Sequence, residues 1–355
     1  MAATVFVINP GSTSTKVALY AGRRRRFSEE IRHSRQALDR LGGVIAQEPL
    51  RRRAILKALR RDGTSPDGID VYVGRGGLLR PVAGGVYEVN DRMLADLRQC
   101  RYGEHASNLG AILAADLAWA HGKVAYIVDP VVTDELSDVA RLSGHPDLPR
   151  RSVFHALSQK AAGRRAAARL GKPYEACNLI VAHVGGGVSV AAHQNGRVVD
   201  VNNALDGEGP FTPERTGGLA VLAFYRYGLA HGLDERGAAE LITRNGGLGA
   251  YLGTNDSAEI ERRIAAGDRQ AEGVYEAFIY QVAKEIGAMA AAMSGAVDAV
   301  VLTGGVVRGG RFRRQLRRRI GFIAPVLVLA ENSEMKALAT AAMEVYKGVR
   351  TAEVY

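Results

Sequence analysis

The 355-residue, 37.9 kDa chain is long enough for about two domains, and its 47% hydrophobic and 24% charged residues exclude a disordered or fibrous protein. Its 42 glycines follow no period, which argues for many tight turns and against collagen. The net charge of +10 invites a nucleic-acid reading, but the arginine runs at 23–26, 51–53 and 317–319 are scattered, and no zinc-finger, RNP or basic-zipper pattern accompanies them. They read as solvated helix faces, and nucleic acid is not expected as a partner.

The first strand signal, 5–8, starts almost at once, with no basic leader and no small-residue cleavage site ahead of it. A Gly/Ser/Thr turn follows, and 16–20 returns as a second strand, so the pair reads as a hairpin. Residues 34–61 are helical in period. The short strand 71–73 runs into Gly74-Arg75-Gly76-Gly77, an alanine-rich buried helix follows at 108–120, and a strand at 124–128 ends at Asp129-Pro130. A second hairpin pairs 179–184 with 188–192 around Gly185-Gly186-Gly187, and Asn195-Gly196 turns the chain into 197–201. Val274, Phe278, Val282, Ile286, Met289 and Met293 form one helical stripe before the strand 299–302 and Thr303-Gly304-Gly305.

The longest apolar run, 320–330, is far short of a membrane span and contains Pro325. Cys100 and Cys177 are too isolated for a disulfide framework or a zinc ribbon, so the expected address is the cytoplasm.

Strand-turn-strand with a small-residue turn thus occurs twice, about half a chain apart. Two such hairpins facing each other across a cleft can offer backbone N–H groups to a polyphosphate. This predicts an α/β fold of two related domains with a hinge near 130–150 and the last helix packing back on the first domain. Neither a P-loop nor a G-x-G-x-x-G strand–helix unit is present, nor H-E-x-x-H, G-x-S-x-G or H-R-D. The phosphate device, if there is one, is Asn9-Pro10-Gly11-Ser12-Thr13-Ser14-Thr15-Lys16, where hydroxyls and a lysine follow a glycine that permits close approach. An ordinary polar turn has a similar composition, but the lysine directly after the hydroxyl residues makes that reading less attractive. The three glycines after His183 suit a backbone lying against a ligand or, equally, a β-bulge. His183 and His193 read singly as hydrogen-bonded structural histidines. Arg75 and Arg215, in glycine-rich segments, stand out from the other arginines. The rigid, charged loop 206–218 has the make of a functional loop.

Together these segments resemble the acetate and butyrate kinase family of the actin/Hsp70/sugar-kinase superfamily. The resemblance rests on Val7-Ile8-Asn9-Pro10-Gly11-Ser12-Thr13-Ser14-Thr15-Lys16, Val73-Gly74-Arg75-Gly76-Gly77-Leu78, Phe154-His155-Ala156-Leu157-Ser158-Gln159-Lys160-Ala161 and Tyr251-Leu252-Gly253-Thr254-Asn255-Asp256. Residues 201–211, Val-Asn-Asn-Ala-Leu-Asp-Gly-Glu-Gly-Pro-Phe, are similar to the butyrate branch. The resemblance implies two duplicated ribonuclease-H-like, actin-like domains around a nucleotide cleft, 1–135 with 335–355 and 136–334. It implies ATP/ADP and Mg2+ as cofactors, a small carboxylic acid such as butyrate as substrate, reversible acyl-phosphate formation, no membrane partner, and a homo-oligomer of at least two chains. Asn9, Ser12, Ser14 and Lys16 would line the first phosphate hairpin, and His183 with Gly185, Gly186 and Gly187 the second. Asp256, Gly304 and Gly305 would lie near the adenosine, and Asn9 and Glu334 near the metal. Asp129, His155, Arg75 and Arg215 would be catalytic. Related readings are an acetate, propionate or isobutyrate kinase, or a non-catalytic nucleotide sensor on the same scaffold.

Three segments depart from the pattern: Ala258 where a basic residue is usual, Val306-Val307-Arg308-Gly309-Gly310, and Ala330-Glu331-Asn332-Ser333, which lacks a usual glycine. All three fall on the nucleotide side.

Overall fold

In the computed structural model, which describes residues 3–330 and 334–355, the chain divides into two units, Met1–Thr133 with Ser333–Tyr355, and Asp134–Asn332. The first contains β1 (Thr4–Pro10), β2 (Ser14–Ala21), β3 (Arg24–Arg32), α1 (Arg35–Asp39), α2 (Glu48–Asp62), β4 (Val71–Arg75), β5 (Val86–Glu88), α3 (Asp91–Arg98), α4 (Asn108–Trp119) and β6 (Val124–Val128). Among the described residues its six strands form one sheet in the order β3-β2-β1-β4-β6-β5. Hairpin partners β1, β2 and β3 run antiparallel, whereas β1, β4 and β6 are parallel.

Strand β1 is apolar on both faces because both faces are covered. Phe6 and Ile8 join a core with Ile112 of α4 and Ile55 of α2. Val5 and Val7 point the other way and are equally buried, and the C-terminal helix Glu334–Tyr346 packs on β1, β4 and β6. Helix α4 is apolar all round and almost wholly buried, as a helix of that composition must be. A side chain at Gly74 would overlap the Gly110 carbonyl of α4. The glycines around Arg75 therefore serve close strand–helix packing, and Arg75 ends a strand instead of sitting in a glycine turn.

Two expectations are corrected here. Arginines 24–26 lie on β3, an edge strand whose arginines and glutamates blunt edge-to-edge pairing, and not on a helix. Helicity over 34–61 is broken after α1, where Gly42 takes φ +72°, and resumes at α2.

The second unit contains α5 (Asp138–Arg141), α6 (Ala156–Leu170), β7 (Asn178–Val184), β8 (Val188–Gln194), β9 (Arg197–Val201), α7 (Val221–Ala230), α8 (Glu235–Thr243), α9 (Gly247–Leu252), α10 (Ser257–Ala265), α11 (Arg269–Ala292), β10 (Ala299–Thr303), α12 (Gly310–Ile320) and β11 (Val326–Val328). Its sheet order is β11-β10-β7-β8-β9. Read as β9-β8-β7-β10-β11, it repeats β3-β2-β1-β4-β6 of the first unit, antiparallel pairs and parallel pairs in the same places. The fold is a duplication that the sequence carries only as pattern.

Alternation along β7 divides two cores. Ile180 and Ala182 face the α11 stripe of Phe278, Val282 and Ile286, while Leu179 and Val181 face Ala162 and Ala166 of α6. Asp268 caps α11 by accepting from Ala271 N at 2.9 Å. No described helix is long and apolar enough to cross a membrane.

Candidate active site

In the first unit, β1 and β2 pair Asn9 with Lys16 and Pro10 with Thr15, which leaves 11–14 as the turn, closed by Gly11 N donating to Ser14 O at 2.7 Å. Asn9 is buried, and its Nδ2 donates to Glu334 Oε2 at 3.1 Å. The same oxygen accepts from Arg75 Nη1 at 3.0 Å. The fold thus joins three expected site residues from β1, β4 and the first turn of the C-terminal helix. Lys16 and Ser12 are exposed, and Ser14 Oγ donates to Glu30 on β3 at 3.0 Å.

Asp129 follows β6, is buried, holds φ at +37° and donates its amide to Gly85 O at 2.8 Å. A left-handed backbone at a buried aspartate is a strained placement of the kind found at working sites. His105, which carries no motif, lies near Arg75: burial first, then the Arg75 charge, lower its pKa.

In the second unit, β7 and β8 pair His183 with Ser189, and Gly185 N donates to Gly187 O at 3.0 Å across the glycine turn. His155, just before α6, stacks on His183 with ring centroids 4.1 Å apart and planes at 16°. A Cβ at Gly187 would lie 2.6 Å from Arg215 Nη1 and 3.3 Å from His155 Cε1, so the bare backbone there leaves room for both side chains. Thr212 fixes the Arg215 loop to the same turn: its Oγ1 donates to Gly186 O at 2.6 Å and accepts from Arg215 N at 2.9 Å. Arg215 Nη1 also donates to Ala204 O. Burial pushes this guanidinium below its ordinary value, while Glu214 and Asp206 pull it back up.

Behind His155 runs a buried chain of hydrogen bonds that sequence reasoning missed. Gln159 Nε2 donates to Ser189 O at 3.0 Å and to Ser189 Oγ at 2.7 Å. That orientation leaves Gln159 Oε1 to accept from His193 Nε2 at 3.0 Å, so His193 Nδ1 accepts from Tyr174 O–H at 2.7 Å. His193 stays neutral because burial, then Lys160 and Arg164, hold its pKa well below the ordinary histidine value. Ser189 Oγ accepts from Gln159 Nε2 and, at 3.4 Å, from the His155 amide, which takes up both of its lone pairs, so its one proton goes to His155 Nδ1 at 2.8 Å. Neutral His155 then carries its own proton on Nε2.

The 201–211 motif is largely scaffold. Asn202 bonds Val190 N at 2.7 Å and Val188 O at 3.2 Å, and Asn203 Oδ1 accepts from Leu205 and Asp206 amides, both at 3.0 Å. Asp256 caps α10 through Ala258 N at 2.9 Å, so Ala258 contributes its amide there. Gly304, at φ +99°, lies against the Val184 backbone, whereas a Cβ at Gly305 would meet open space. Val306 and Val307 are buried in the α11 core, which accounts for that departure by packing. Residues 331–333 of the third departing segment lie outside the described residues. Among the described residues no cluster of three or more His, Cys, Asp or Glu could hold a metal by itself.

Two units of one strand order, each with a small-residue hairpin turn at matching positions, define a duplicated α/β fold of the actin-like ATPase class. Similar solved structures are the acetate kinase of Porphyromonas gingivalis (23% identity, 97% of this chain and 100% of that one, TM-score 0.78) and a propionate kinase of Francisella tularensis (18% identity, 96% and 99%, TM-score 0.74). The acetokinase family model matches residues 146–335. Over nearly its full length the chain is similar to a probable butyrate kinase of Oleidesulfovibrio alaskensis (48% identity, 99% of this chain, 98% of the relative) and to butyrate kinase 2 of Clostridium acetobutylicum (46%, 99% and 99%). The chain belongs to the acetokinase family and is a kinase, an enzyme that transfers a phosphoryl group.

Proposed function

We propose that this protein transfers the γ-phosphoryl group of ATP to a short-chain carboxylate, butyrate foremost, and runs in reverse to make ATP. The observation that carries this reading is Arg215, a half-buried guanidinium set beside His155 over the bare Gly187 turn. The names of the full-length relatives support the acid.

A short carboxylic acid is already ionised at pH 7, so the reaction needs no strong general base. A carboxylate oxygen attacks the γ-phosphorus, the new O–P bond forms, and the bond to ADP breaks with its electron pair leaving on ADP. The barrier lies in opposing two anions and stabilising charge on the equatorial oxygens. Arg215 and Arg75 suit the reacting anions because a guanidinium is planar, permanently charged and bidentate. His155, with its proton on Nε2, donates to a phosphoryl oxygen. Asp129 orients the acid. The hairpin residues Ser12, Ser14 and Lys16 take nucleotide phosphates, His183 and Gly185 to Gly187 take the phosphate on the second hairpin, and Asp256 with Gly304 and Gly305 lies on the adenosine side.

Asn9 and Glu334, joined by the Asn9 amide nitrogen donating to Glu334 Oε2 next to the first hairpin, would hold a magnesium ion through the Asn9 amide oxygen and the Glu334 carboxylate, and Mg2+ takes few protein ligands beside phosphates and water. When bound, it supplies charge neutralisation at the phosphates.

Purified protein with MgATP, hydroxylamine and acids from acetate to isovalerate is expected to yield the hydroxamate, with butyrate ahead of acetate. Because one methylene discriminates by only about 1–3 kcal/mol, product favouring acetate, propionate or isobutyrate keeps the chemistry and changes the substrate. No product with any acid, while ATP still binds, overturns the kinase assignment in favour of a nucleotide sensor. The cytoplasm, where ATP is made and thiols stay reduced, suits both the reaction and the unpaired Cys100 and Cys177.

The expected homo-oligomer has support in α7, which has no buried residue and exposes Val221, Leu222, Tyr225, Tyr227 and Leu229 with one charge, Arg226. A helix so apolar needs a partner face, here a second copy. Light scattering should find an oligomer that Leu222→Glu with Tyr225→Glu dissociates; a monomeric parent protein would remove this assignment.

A further inference from the structure

We propose that Arg51 is a positioning residue that gives the first hairpin turn its affinity for nucleotide phosphates, by holding the turn's carbonyls away from the ligand and placing a buried positive charge beneath it. The sequence offers it as one member of a surface run, 51–53, yet α2 carries Arg51 fully buried under the 11–14 turn while Arg52 and Arg53 stay exposed.

All its donors are used. Nη1 donates to Ser14 O at 2.9 Å and Thr15 Oγ1 at 3.0 Å, and Nη2 donates to Ser12 O at 3.1 Å and Gln47 Oε1 at 2.8 Å. Nε donates to Gln47 Oε1 at 3.2 Å. The buried Gln47, one turn earlier, thereby fixes the guanidinium from the helix side.

The consequence is a turn of one polarity. Ser12 O and Ser14 O are taken by Arg51, Ser14 O also by Gly11 N, and Thr13 O accepts from His33 N at 2.8 Å. The amides of Ser12 and Thr13 make no hydrogen bond among the described residues, and both residues are exposed. Carbonyls face the protein, and donors are left for an anion, the arrangement of an anion-binding nest.

Among the described residues no carboxylate bonds to Arg51, whose partners are carbonyls, a hydroxyl and an amide oxygen. A buried cation without a protein counter-ion is costly unless an anion approaches. Its field is felt nearby: His33, bonded to Thr15 Oγ1 at 2.9 Å, is held down to about 4 by burial first and Arg51 second. Burial alone lowers Arg51 to about 10, which leaves it charged at pH 7.

This proposal rests on reading the hairpin as the nucleotide-phosphate site. The test is calorimetric binding of adenosine, ADP and ATP, with magnesium, to the parent enzyme and to Arg51→Gln and Arg51→Lys. Arg51→Gln is expected to weaken ATP about tenfold or more while adenosine changes less than about twofold. Arg51→Lys keeps the charge but cannot span the two carbonyls, and is expected to fall between. If Arg51→Gln does not fold, Arg51→Lys decides alone. ATP bound as tightly by the folded variant as by the parent overturns the proposal, and so does equal weakening of ATP and adenosine, the mark of a merely structural role. A parent enzyme that binds ATP no better than adenosine overturns the phosphate-hairpin reading itself, and the Arg51 role with it.

Discussion

Arg215→Ala is expected to lower kcat/KM for acyl-phosphate formation by about 10³–10⁵-fold, the range over which a single transition-state arginine acts in phosphoryl transfer. The side chain is half-buried, and a fixed charge partly withdrawn from water acts more strongly than one in solvent. It is also preorganised, with Nη1 on Ala204 O and the loop held by Thr212. The truncation leaves the Ala204 carbonyl short of a donor, a cost of about 1–3 kcal/mol, but the loop keeps its backbone bonds to Thr212 Oγ1. Circular dichroism should therefore stay that of the parent, with the melting curve lowered by only about a few degrees. Arg215→Lys should recover little, because an ammonium lacks the planar fork. A rate within tenfold of the parent in the alanine variant would remove Arg215 from the chemistry.

Ser189→Ala is expected to lower kcat by about 10²-fold with little change in the KM for ATP, at the lower end of what positioned proton donors contribute. The hydroxyl is buried in β8, and its one proton directs His155 to carry hydrogen on Nε2. Without it, neutral His155 is free to distribute between tautomers, and part of the population turns a lone pair where a donor is needed. Nitrogen-15 spectra of labelled histidine report this without any assay: one tautomer in the parent, a mixture in the variant. Ser189→Thr retains the hydroxyl and should restore both rate and spectrum. Unchanged His155 nitrogen shifts in Ser189→Ala, or a rate within twofold of the parent, would leave the Tyr174–His193–Gln159–Ser189 chain as packing only.

The local parts of this protein were legible in its sequence. Continuous apolar runs beside Gly11 and beside Gly185 to Gly187 marked both hairpins, and β6 and β9 fell where the run 124–128 and the Asn195-Gly196 turn placed them. The α11 stripe was equally plain. Each of these signals arises from residues within a few positions of one another, where steric preference and side-chain period act directly on the chain. Even so, β3 escaped notice, because an exposed edge strand of arginines and glutamates lacks apolar alternation.

What only the tertiary structure decided is which polar groups meet. Asn9 and Arg75 share one oxygen of Glu334, across 325 and 259 positions of sequence. The chain behind His155 joins α6, β8 and the segment before β7. Arg51 reads on paper like Arg52 beside it, yet one is buried on all sides and the other faces water. A buried arginine and a solvated one have the same letter and the same neighbours; burial is decided by the sheet that α2 packs over, and that sheet forms from strands far apart in the sequence. Residue type and local period set the hairpins, and long-range packing set the charge beneath the first and the proton behind the second.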